Sequence, residues 1–351
     1  MAQPFDARSL QLKGRAKAVA DHTVFAGAQS FGVFSVSQTG VLATRAGAIS
    51  GTQLYWFDRS GRQLQLLDTE NGIVSAPRLS PDEHRLSVMV ATNRYRQRDI
   101  WIHDLSRGVR ARFTFESVAE ANPLSMGANT VWSPDGTQIA FSASRHGHTN
   151  LYLKQWGGAG EERVLLEDSW RNYPNSWSPD GRFLAYQQVD EKDDKSQIWI
   201  LPLFGDRQPF AFLKSSFRTF GAEFSPDGHW LAYQSNESGS FQVYVAAFPG
   251  AETKMQVSPA GGLSVKWRSD GKELFYLDLA GKLMKADVKS IGGKLELSTP
   301  QVLFQTAAAS PGLRPYDVTK RGDRFVFTTT GDVNPNPFML ILNWDAELKR
   351  K

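Results

Sequence analysis

Residues 133–141, Ser-Pro-Asp-Gly-Thr-Gln-Ile-Ala-Phe, decide the fold of this chain, because a tight turn leads directly into a short apolar strand. The same Ser-Pro-Asp-Gly turn recurs at 178–181 and 225–228, and 80–83 differs from it only in a final glutamate. Proline presets φ for a turn, aspartate caps backbone amides, and glycine accepts a positive φ. A turn and strand repeated at blade-sized intervals are typical of a β-propeller.

Three weaker copies extend the repeat, at 37–40, 268–271 and 319–322. Copies are spaced about 43–53 residues apart, as expected for blades. The aspartate slot falls at positions 39, 82, 135, 180, 227, 270 and 321. Seven copies predict an all-β fold, a seven-bladed β-propeller of four-stranded antiparallel blades that forms one domain over residues 1–351. Six blades remain the alternative. The copies at Thr39 and Arg321, which lack the aspartate, are the candidates for decayed copies that are not blades.

Each repeat has a large apolar residue three positions before the aspartate slot, which we assign to the innermost strand. These anchor residues should be buried between blades; they are Val36, Leu79, Trp132, Trp177, Phe224, Trp267 and Val318. We assign 54–57 as the third strand of the first repeat and 338–341 as the third strand of the last. Residues 1–21 are then expected to supply the missing outer strand and so close the ring with strands from both termini.

The composition fits a folded, water-soluble protein. Of the 351 residues, 41% are hydrophobic and 22% are charged, and the net charge is only +4. The absence of cysteine excludes disulfides, thiolate catalysis and Cys-ligated metals. No signal peptide, membrane-length apolar stretch or nucleic-acid-binding module is recognisable, so we expect no membrane segment in this chain and no nucleic-acid partner. We also expect a monomer.

Several linking segments resemble one propeller family. Examples are 54–61 (Leu-Tyr-Trp-Phe-Asp-Arg-Ser-Gly), 98–105, 226–239 and 270–276. The chain resembles TolB-like propellers, and within them the sensor propellers that lie C-terminal to bacterial eukaryotic-like Ser/Thr protein kinases. That resemblance implies a sensor role, outside the cytoplasm if the chain is a detached receptor segment and cytoplasmic otherwise. No kinase signature occurs in the sequence, so kinase activity is not implied.

Two groups of polar residues have metal-ligand chemistry. His146 and His148 could share one side of a strand and ligate a metal. The acidic run Asp190, Glu191, Asp193 and Asp194 is rich in the oxygen ligands that calcium prefers. Both lie where the repeat places hairpin tips, where solvated side chains are the alternative. We therefore predict no metal and no other cofactor, with calcium the open possibility.

The loops that lead into each inner strand should border the central channel, and non-repeating residues there are the best ligand-binding candidates. Arg171, Arg218 and Arg314 come from three repeats and could converge on an anionic ligand. The alternative is that they pair with carboxylates such as Glu223 and Asp317. The full set of candidates is Asn122, Arg171, Tyr173, Arg218, Phe220, Arg314 and Tyr316.

The predicted function is non-catalytic recognition of a small molecule, a peptide or a protein, as in a sensor or interaction module. No complete catalytic constellation is visible, so we predict no catalytic residues and no enzyme activity. One alternative is a metal-assisted hydrolase or lyase with its site in the channel. Another is an interaction scaffold that binds no small ligand.

Overall fold

The structure is a computed structural model of the 351-residue chain. It describes residues 2–345 except 18, 20–24, 27–30, 33, 38, 40, 46–51, 70–72, 93–96, 116–129, 146, 158–159, 191–194, 214, 292–293, 307, 309–313, 331–337 and 343. The chain forms two compact units, Met1–Ser50 with Gly331–Lys351, and Gly51–Thr330. Within the described ranges there is no helix long and apolar enough to cross a bilayer.

The smaller unit contains short strands from both ends of the chain. They are β1 (Phe5–Asp6), β2 (Gln11–Leu12), β3 (Phe25–Ala26), β4 (Phe31–Gly32), β5 (Phe34–Val36), β6 (Val41–Arg45) and β32 (Phe338–Leu342). Strand β1 pairs with β2, β3 pairs with β4, and β6 lies between β5 and β32 in a three-stranded antiparallel sheet.

The larger unit consists of antiparallel sheets that we number 1 to 6. It begins with β7 (Thr52–Asp58) and β8 (Gln63–Thr69), which belong to sheet 6. Sheet 1 contains β9 (Ile73–Leu79), β10 (Arg85–Thr92), β11 (Gln97–Asp104) and β12 (Val109–Arg112). Sheet 2 contains β13 (Thr130–Trp132), β14 (Gln138–Arg145), β15 (His148–Gln155) and β16 (Arg163–Leu166). Sheet 3 contains β17 (Arg171–Trp177), β18 (Phe183–Asp190), β19 (Lys195–Pro202) and β20 (Phe210–Ala211).

The remaining sheets complete the larger unit. Sheet 4 contains β21 (Thr219–Phe224), β22 (Trp230–Ser235), β23 (Gln242–Ala247) and β24 (Lys254–Gln256). Sheet 5 contains β25 (Leu263–Trp267), β26 (Glu273–Leu277), β27 (Lys282–Ile291), β28 (Lys294–Leu297) and β29 (Gln301–Gln305). Sheet 6 joins β30 (Tyr316–Val318) and β31 (Arg324–Thr330) to β7 and β8, in the order β30-β31-β7-β8.

Apolar clusters fill the interfaces between consecutive sheets. The cluster between sheets 6 and 1 contains Leu54 and Val326 from sheet 6 and Val74, Leu86 and Val88 from sheet 1. Equivalent clusters lie between sheets 1 and 2, 2 and 3, 3 and 4, 4 and 5, and 5 and 6. Full burial of one such side chain contributes roughly 1.5–3 kcal/mol. Because every sheet packs on two neighbours, the six sheets follow one another in a closed circle.

The Ser-Pro-Asp-Gly turn has the hydrogen bonds that its sequence predicts. Ser133 Oγ donates to Asp135 Oδ1 at 2.5 Å and accepts the backbone N–H of Gln138 at 2.9 Å. Asp135 Oδ1 also accepts the N–H of Thr137. Gly136 has a φ of +71°, which glycine adopts without the steric cost that other residues meet. The turn therefore ends the first strand of a sheet and starts the second.

Sheet 6 combines strands from the two ends of the larger unit. Strand β31 pairs with β7 over seven residue pairs, from Arg324↔Asp58 to Thr330↔Thr52. In the turn after β7, the Arg59 guanidinium forms two 2.9 Å hydrogen bonds to the Glu273 carboxylate of sheet 5 and donates to the carbonyl of Gly322 at 2.8 Å. Residues 52–69 therefore complete the sheet that the C-terminal strands begin.

The seven-blade prediction is not confirmed. The larger unit contains six sheets in its described residues, and the motif copy at Thr39 lies between β5 and β6 of the smaller unit. The strand assignments at the ends were wrong, because 52–58 pairs with 324–330 and 338–342 pairs with 41–45. Both segments are short apolar runs, so local sequence does not distinguish their partners. That residues 1–351 form a single domain stays a prediction.

One further expectation needs correction. Residues 1–21 were expected to supply the outer strand of the last blade, but β8 holds the outer place of sheet 6, next to β7. In this region β1 pairs with β2, and Ala2 pairs with Lys17. In sheet 5, the end of β27 also pairs with β28, from Val288↔Leu297 to Ile291↔Lys294.

The anchor residues of the larger unit lie in the cores between sheets, as the repeat predicted. Trp132 and Phe224 are buried, and Leu79, Trp177, Trp267 and Val318 are partly buried against the apolar clusters. Val36, the anchor expected in the smaller unit, is instead 45% exposed.

Candidate binding site: a buried charge cluster

One repeat position of the larger unit carries most of its buried charge. The residue immediately before the anchor is Arg78, Val131, Ser176, Glu223, Lys266 and Asp317 in sheets 1 to 6. All six lie on first strands and are buried or nearly so. The register of the first strand shifts beside this position in sheets 1, 3, 4 and 5, as in a β-bulge. Bulges re-aim side chains, and in sheets 1, 4 and 5 they accompany charged groups.

The charged side chains meet where the first strands converge. Arg78 Nη2 lies 2.6 Å from Glu223 Oε1, although sheets 1 and 4 stand opposite each other in the circle. Lys266 Nζ lies 3.0 Å from Asp317 Oδ1 and 3.2 Å from Glu223 Oε1. Asp317 Oδ2 accepts the backbone N–H of Leu79 at 2.8 Å. Because these contacts join sheets 1, 4, 5 and 6, they place the charges in the middle of the circle.

Arg314 adds a third cation from just before β30. Its Nη1 donates to the carbonyl of Asn175 at 3.2 Å and lies 3.6 Å from Glu223 Oε1. Its Nη2 is buried and has no hydrogen-bond partner in the part of the chain that the structure describes. We call Arg78, Glu223, Lys266, Arg314 and Asp317 the axial cluster.

The backbone at Arg314 is strained. Its φ is +50°, in the left-handed region. For a residue with a side chain, this conformation costs roughly 1–2 kcal/mol. Such outliers concentrate at binding and active sites, where the surrounding structure holds them in place. Five other non-glycine residues of the described chain also have a positive φ, so the strain supports Arg314 as a candidate only together with its buried charge.

Tyr316, the first residue of β30, borders the cluster. Its ring stacks on Phe327 with 5.0 Å between centroids, and the residue is fully buried. The hydroxyl has no hydrogen-bond partner within the described segments. Burial raises the pKa of Tyr316 well above its ordinary value, with the nearby carboxylates of Asp317 and Glu223 adding to the effect. The side chain therefore stays protonated at neutral pH and offers a donor.

The cluster contains three cations and two carboxylates, so its formal charge is +1. Burial lowers the pKa of Arg314 to about 9, and the neighbouring Arg78 adds to the shift, yet the group stays protonated at neutral pH. Burial also raises the pKa of Glu223 and of Asp317, against the effect of the nearby arginines. For Arg78 burial alone would lower the pKa, but Glu223 and Asp317 outweigh it and the pKa is raised. An uncompensated buried charge costs several kcal/mol, so this arrangement favours an additional anion.

Two of the ligand-binding candidates predicted from sequence belong to this site. Arg314 is part of the axial cluster, and Tyr316 lies beside it. Arg314 also contacts Glu223, which is the pairing that the sequence analysis gave as the alternative to ligand binding. Tyr173 is buried, and Phe220 is buried with its ring 5.1 Å from Phe241.

The other sequence candidates stay predictions. Arg171 begins β17, and Arg218 precedes β21 with its backbone N–H bonded to Asn236 Oδ1 at 2.9 Å. Asn122, His146, Glu191, Asp193 and Asp194 lie outside the described residues. His148 begins β15. Among the residues that are described, no three His, Asp or Glu side chains are close enough to hold a metal ion.

Sequence reasoning missed Arg78, Lys266 and Asn175. The signal was present, because the position before the anchor is charged in four of the six sheets. The recurrence of a charge at one repeat position indicates a shared location. Glu223 and Asp317 were considered only as neutralising partners of the arginines.

A separate cavity of about 460 Å³ lies between sheets 4 and 5. Its walls include Trp230, Trp267 and Leu295. The carboxylate of Asp270, also in its lining, is already paired with Arg268 at 2.7 Å. We place the candidate site at the axial cluster, because that cluster holds buried charge and donors that the described residues do not satisfy.

Comparison with known proteins supports the fold. Residues 49–206 match the family model described as the TolB beta propeller domain. A Tol-Pal system protein TolB from Anaeromyxobacter dehalogenans strain 2CP-1 is 30% identical over 138 residues, which is 37% of this chain and 29% of that protein. The chain thus spans less than a third of the length of the curated relatives it matches. Residues 49–206 are therefore similar to a TolB-like β-propeller domain.

Solved structures show the same architecture. A protein assigned as TolB from Agrobacterium tumefaciens superposes with a TM-score of 0.60 at 19% identity, covering 81% of this chain and 99% of that one. An oligogalacturonate lyase in complex with manganese superposes with a TM-score of 0.52 at 15% identity, covering 88% and 96%. At these identities the likeness extends to the fold alone, and the fold is shared by binding proteins and enzymes.

Proposed function

We propose that this chain is a non-catalytic recognition module that binds a ligand or a partner group at the axial cluster. The observation that carries the proposal is Arg314, a buried guanidinium on a strained backbone whose Nη2 lacks a partner in the described structure. Buried polar groups are almost always satisfied, and an exception calls for an explanation such as a bound group. A ligand that bonds to Arg314 supplies the missing partner.

The arrangement suits binding rather than reaction. The carboxylates Glu223 and Asp317 are already engaged by Arg78 and Lys266, so neither is poised as a free general base. A fixed cluster on four packed strands is a pre-organised recognition surface, because its side chains lose little further freedom on binding. The tyrosine hydroxyl and the guanidinium both act as donors at neutral pH.

A thermal-shift screen of sugars, short peptides and small anions tests this proposal. A ligand that binds only the folded state raises the midpoint in proportion to RT ln(1 + [L]/Kd). We expect at least one ligand class to do so in the natural protein and not in the Arg314→Gln variant. The matched control is Arg182→Gln, since Arg182 is an exposed arginine that lies over Phe204. Equal stabilisation of both variants would reject the axial cluster as the binding site.

The metal-assisted hydrolase or lyase remains the alternative. Elemental analysis of the purified protein separates the two, because a metal enzyme would carry a stoichiometric divalent ion. We expect the melting midpoint to be indifferent to a chelator. A stoichiometric metal, with a midpoint that falls on chelation, would favour the enzyme.

We further propose a sensor or interaction role, as the resemblance to receptor-kinase sensor propellers implies. A sensor must transmit occupancy beyond its binding site. Hydrogen exchange with and without ligand should therefore change in outer strands such as β12 and β24 as well as in the first strands. Changes restricted to the first strands would remove the sensor role and leave simple binding.

A further inference from the structure

We propose that the group bound at the axial cluster is a single carboxylate, from a small organic acid or from the C-terminus of a peptide. This inference rests on the recognition function proposed above and names the chemistry of its ligand.

The charge balance selects a monoanion. Arg78, Lys266 and Arg314 provide three positive charges, and Glu223 and Asp317 provide two negative charges. One carboxylate brings the cluster to neutrality, whereas a dianion such as hydrogen phosphate reverses its sign. In a buried site either excess is costly, so the cluster should prefer one negative charge to two.

The donors at the site suit a carboxylate, which accepts hydrogen bonds on both of its oxygens. Arg314 Nη2 and the Tyr316 hydroxyl both lack partners within the described residues. Lys266 Nζ lies within 3.2 Å of two carboxylates, yet none of these contacts has hydrogen-bond alignment. A carboxylate only accepts hydrogen bonds, and bonds from charged donors are the strongest that it receives. A neutral hydroxyl or amide ligand would leave the excess charge in place.

Access to the cluster suits a small terminal group. Each side chain keeps only a narrow exposed fraction, from 5% for Lys266 and 9% for Arg314 to 13% for Glu223. A chain end presents its carboxylate on a slender stem. The narrow exposure therefore favours a terminal carboxylate over a bulky anionic ring.

The restraint on the Arg314 side chain adds a reason for affinity. The Nη1 bond to the Asn175 carbonyl holds the guanidinium, and only 9% of the side chain is exposed. The Arg314 side chain is therefore already ordered by folding, so it loses less conformational entropy when a ligand binds.

Thermal shift and calorimetry with four probes test the inference. The probes are acetate, trialanine, trialanine amide and inorganic phosphate at pH 8, in a sodium sulfate background of constant ionic strength. We expect acetate and trialanine to raise the midpoint with concentration, phosphate to do so less, and the amide not at all. A larger effect of trialanine than of acetate identifies the peptide C-terminus as the source, and the reverse identifies a small acid.

Two conservative variants keep the test independent of folding defects. Tyr316→Phe retains the ring that stacks on Phe327 and removes only the hydroxyl. Loss of one hydrogen bond to a charged group should weaken carboxylate binding about tenfold or more. Arg314→Lys keeps the charge but loses the planar pair of nitrogens, so it should also weaken binding. Arg182→Gln should bind as the natural protein does.

Three outcomes would overturn the inference. Phosphate could bind as tightly as acetate, the amide could match the free acid, or both conservative variants could bind normally. If no anion stabilises the protein while a neutral ligand does, and Arg314→Gln abolishes that effect, the carboxylate inference fails and the recognition function stands. If nothing binds, both fail.

Discussion

Replacing Glu223 by glutamine should strongly destabilise the larger unit. Its Oε1 lies 2.6 Å from Arg78, 3.2 Å from Lys266 and 3.6 Å from Arg314, so one carboxylate partners three cations. Glutamine keeps the shape and raises the formal charge of the cluster from +1 to +2. Only 13% of the side chain is exposed, so solvent screens the change poorly. Removing one partner of a buried ion pair costs about 3–5 kcal/mol.

Chemical denaturation and calorimetry measure this loss. At about 2 °C per kcal/mol for a unit of this size, the midpoint should fall by roughly 6–10 °C. The control is Lys266→Met, which removes a cation from the same cluster and brings its formal charge to zero. We expect it to cost less than half as much, because it relieves the excess charge rather than adding to it. Equal losses in the two variants, or a loss below about 1 kcal/mol for Glu223→Gln, would refute the charge-balance reasoning.

Three further predictions follow from other contacts. Gly181→Ala should cost about 1 kcal/mol of stability through its φ of +75° alone, since no atom lies near the added methyl. Gly221→Ala should cost more, because its methyl would also clash with a buried glutamine side chain. Equal losses of stability in denaturant unfolding would contradict this prediction. A hydrogen bond from the Ser60 hydroxyl is the largest of the effects that lower the pKa of Asp58 to about 2. The stability that ionised Asp58 contributes is therefore present above about pH 4 and lost as the pH falls towards 2. The difference in melting midpoint between the natural protein and Asp58→Asn should shrink over that range, and a constant difference would count against the prediction. In Arg59→Lys, the lysine cannot form the paired hydrogen bonds that Arg59 makes to Glu273, so this variant should lose nearly as much stability as Arg59→Ala. Full stability of the lysine variant would show that charge alone suffices.

The turns and most strands could be predicted from sequence because their causes are local. The hydrogen bonds of Ser133 and Asp135 arise within a few residues, and the same pattern identified the starts of second strands in sheets 1 to 6. Strand partners at the chain ends could not be predicted in this way. Residues 54–57 and 338–341 are both short apolar strands, and only the assembled sheet decides which lies beside β31.

The candidate site shows the same division. Arg314 and Tyr316 were singled out because they interrupt a repeat, which a sequence can show. Arg78 and Lys266 were overlooked because each forms its ion pairs with residues of other sheets. Arg78 pairs with sheet 4, on the opposite side of the circle, and Lys266 pairs with the adjacent sheets 4 and 6. The contact between Arg78 and Glu223 joins residues 145 positions apart.

The amino-acid sequence by itself determined that this chain repeats a turn-and-strand unit, since proline, aspartate and glycine set the backbone of each turn directly. It also determined that apolar anchors recur on the first strands. Only the tertiary structure decided that six sheets close in a circle, that residues 52–69 complete the last of them, and that five charged side chains meet at its middle. The reason is physical: dihedral preferences act between neighbours in the chain, whereas sheet pairing and buried charge balance depend on which distant residues folding brings together.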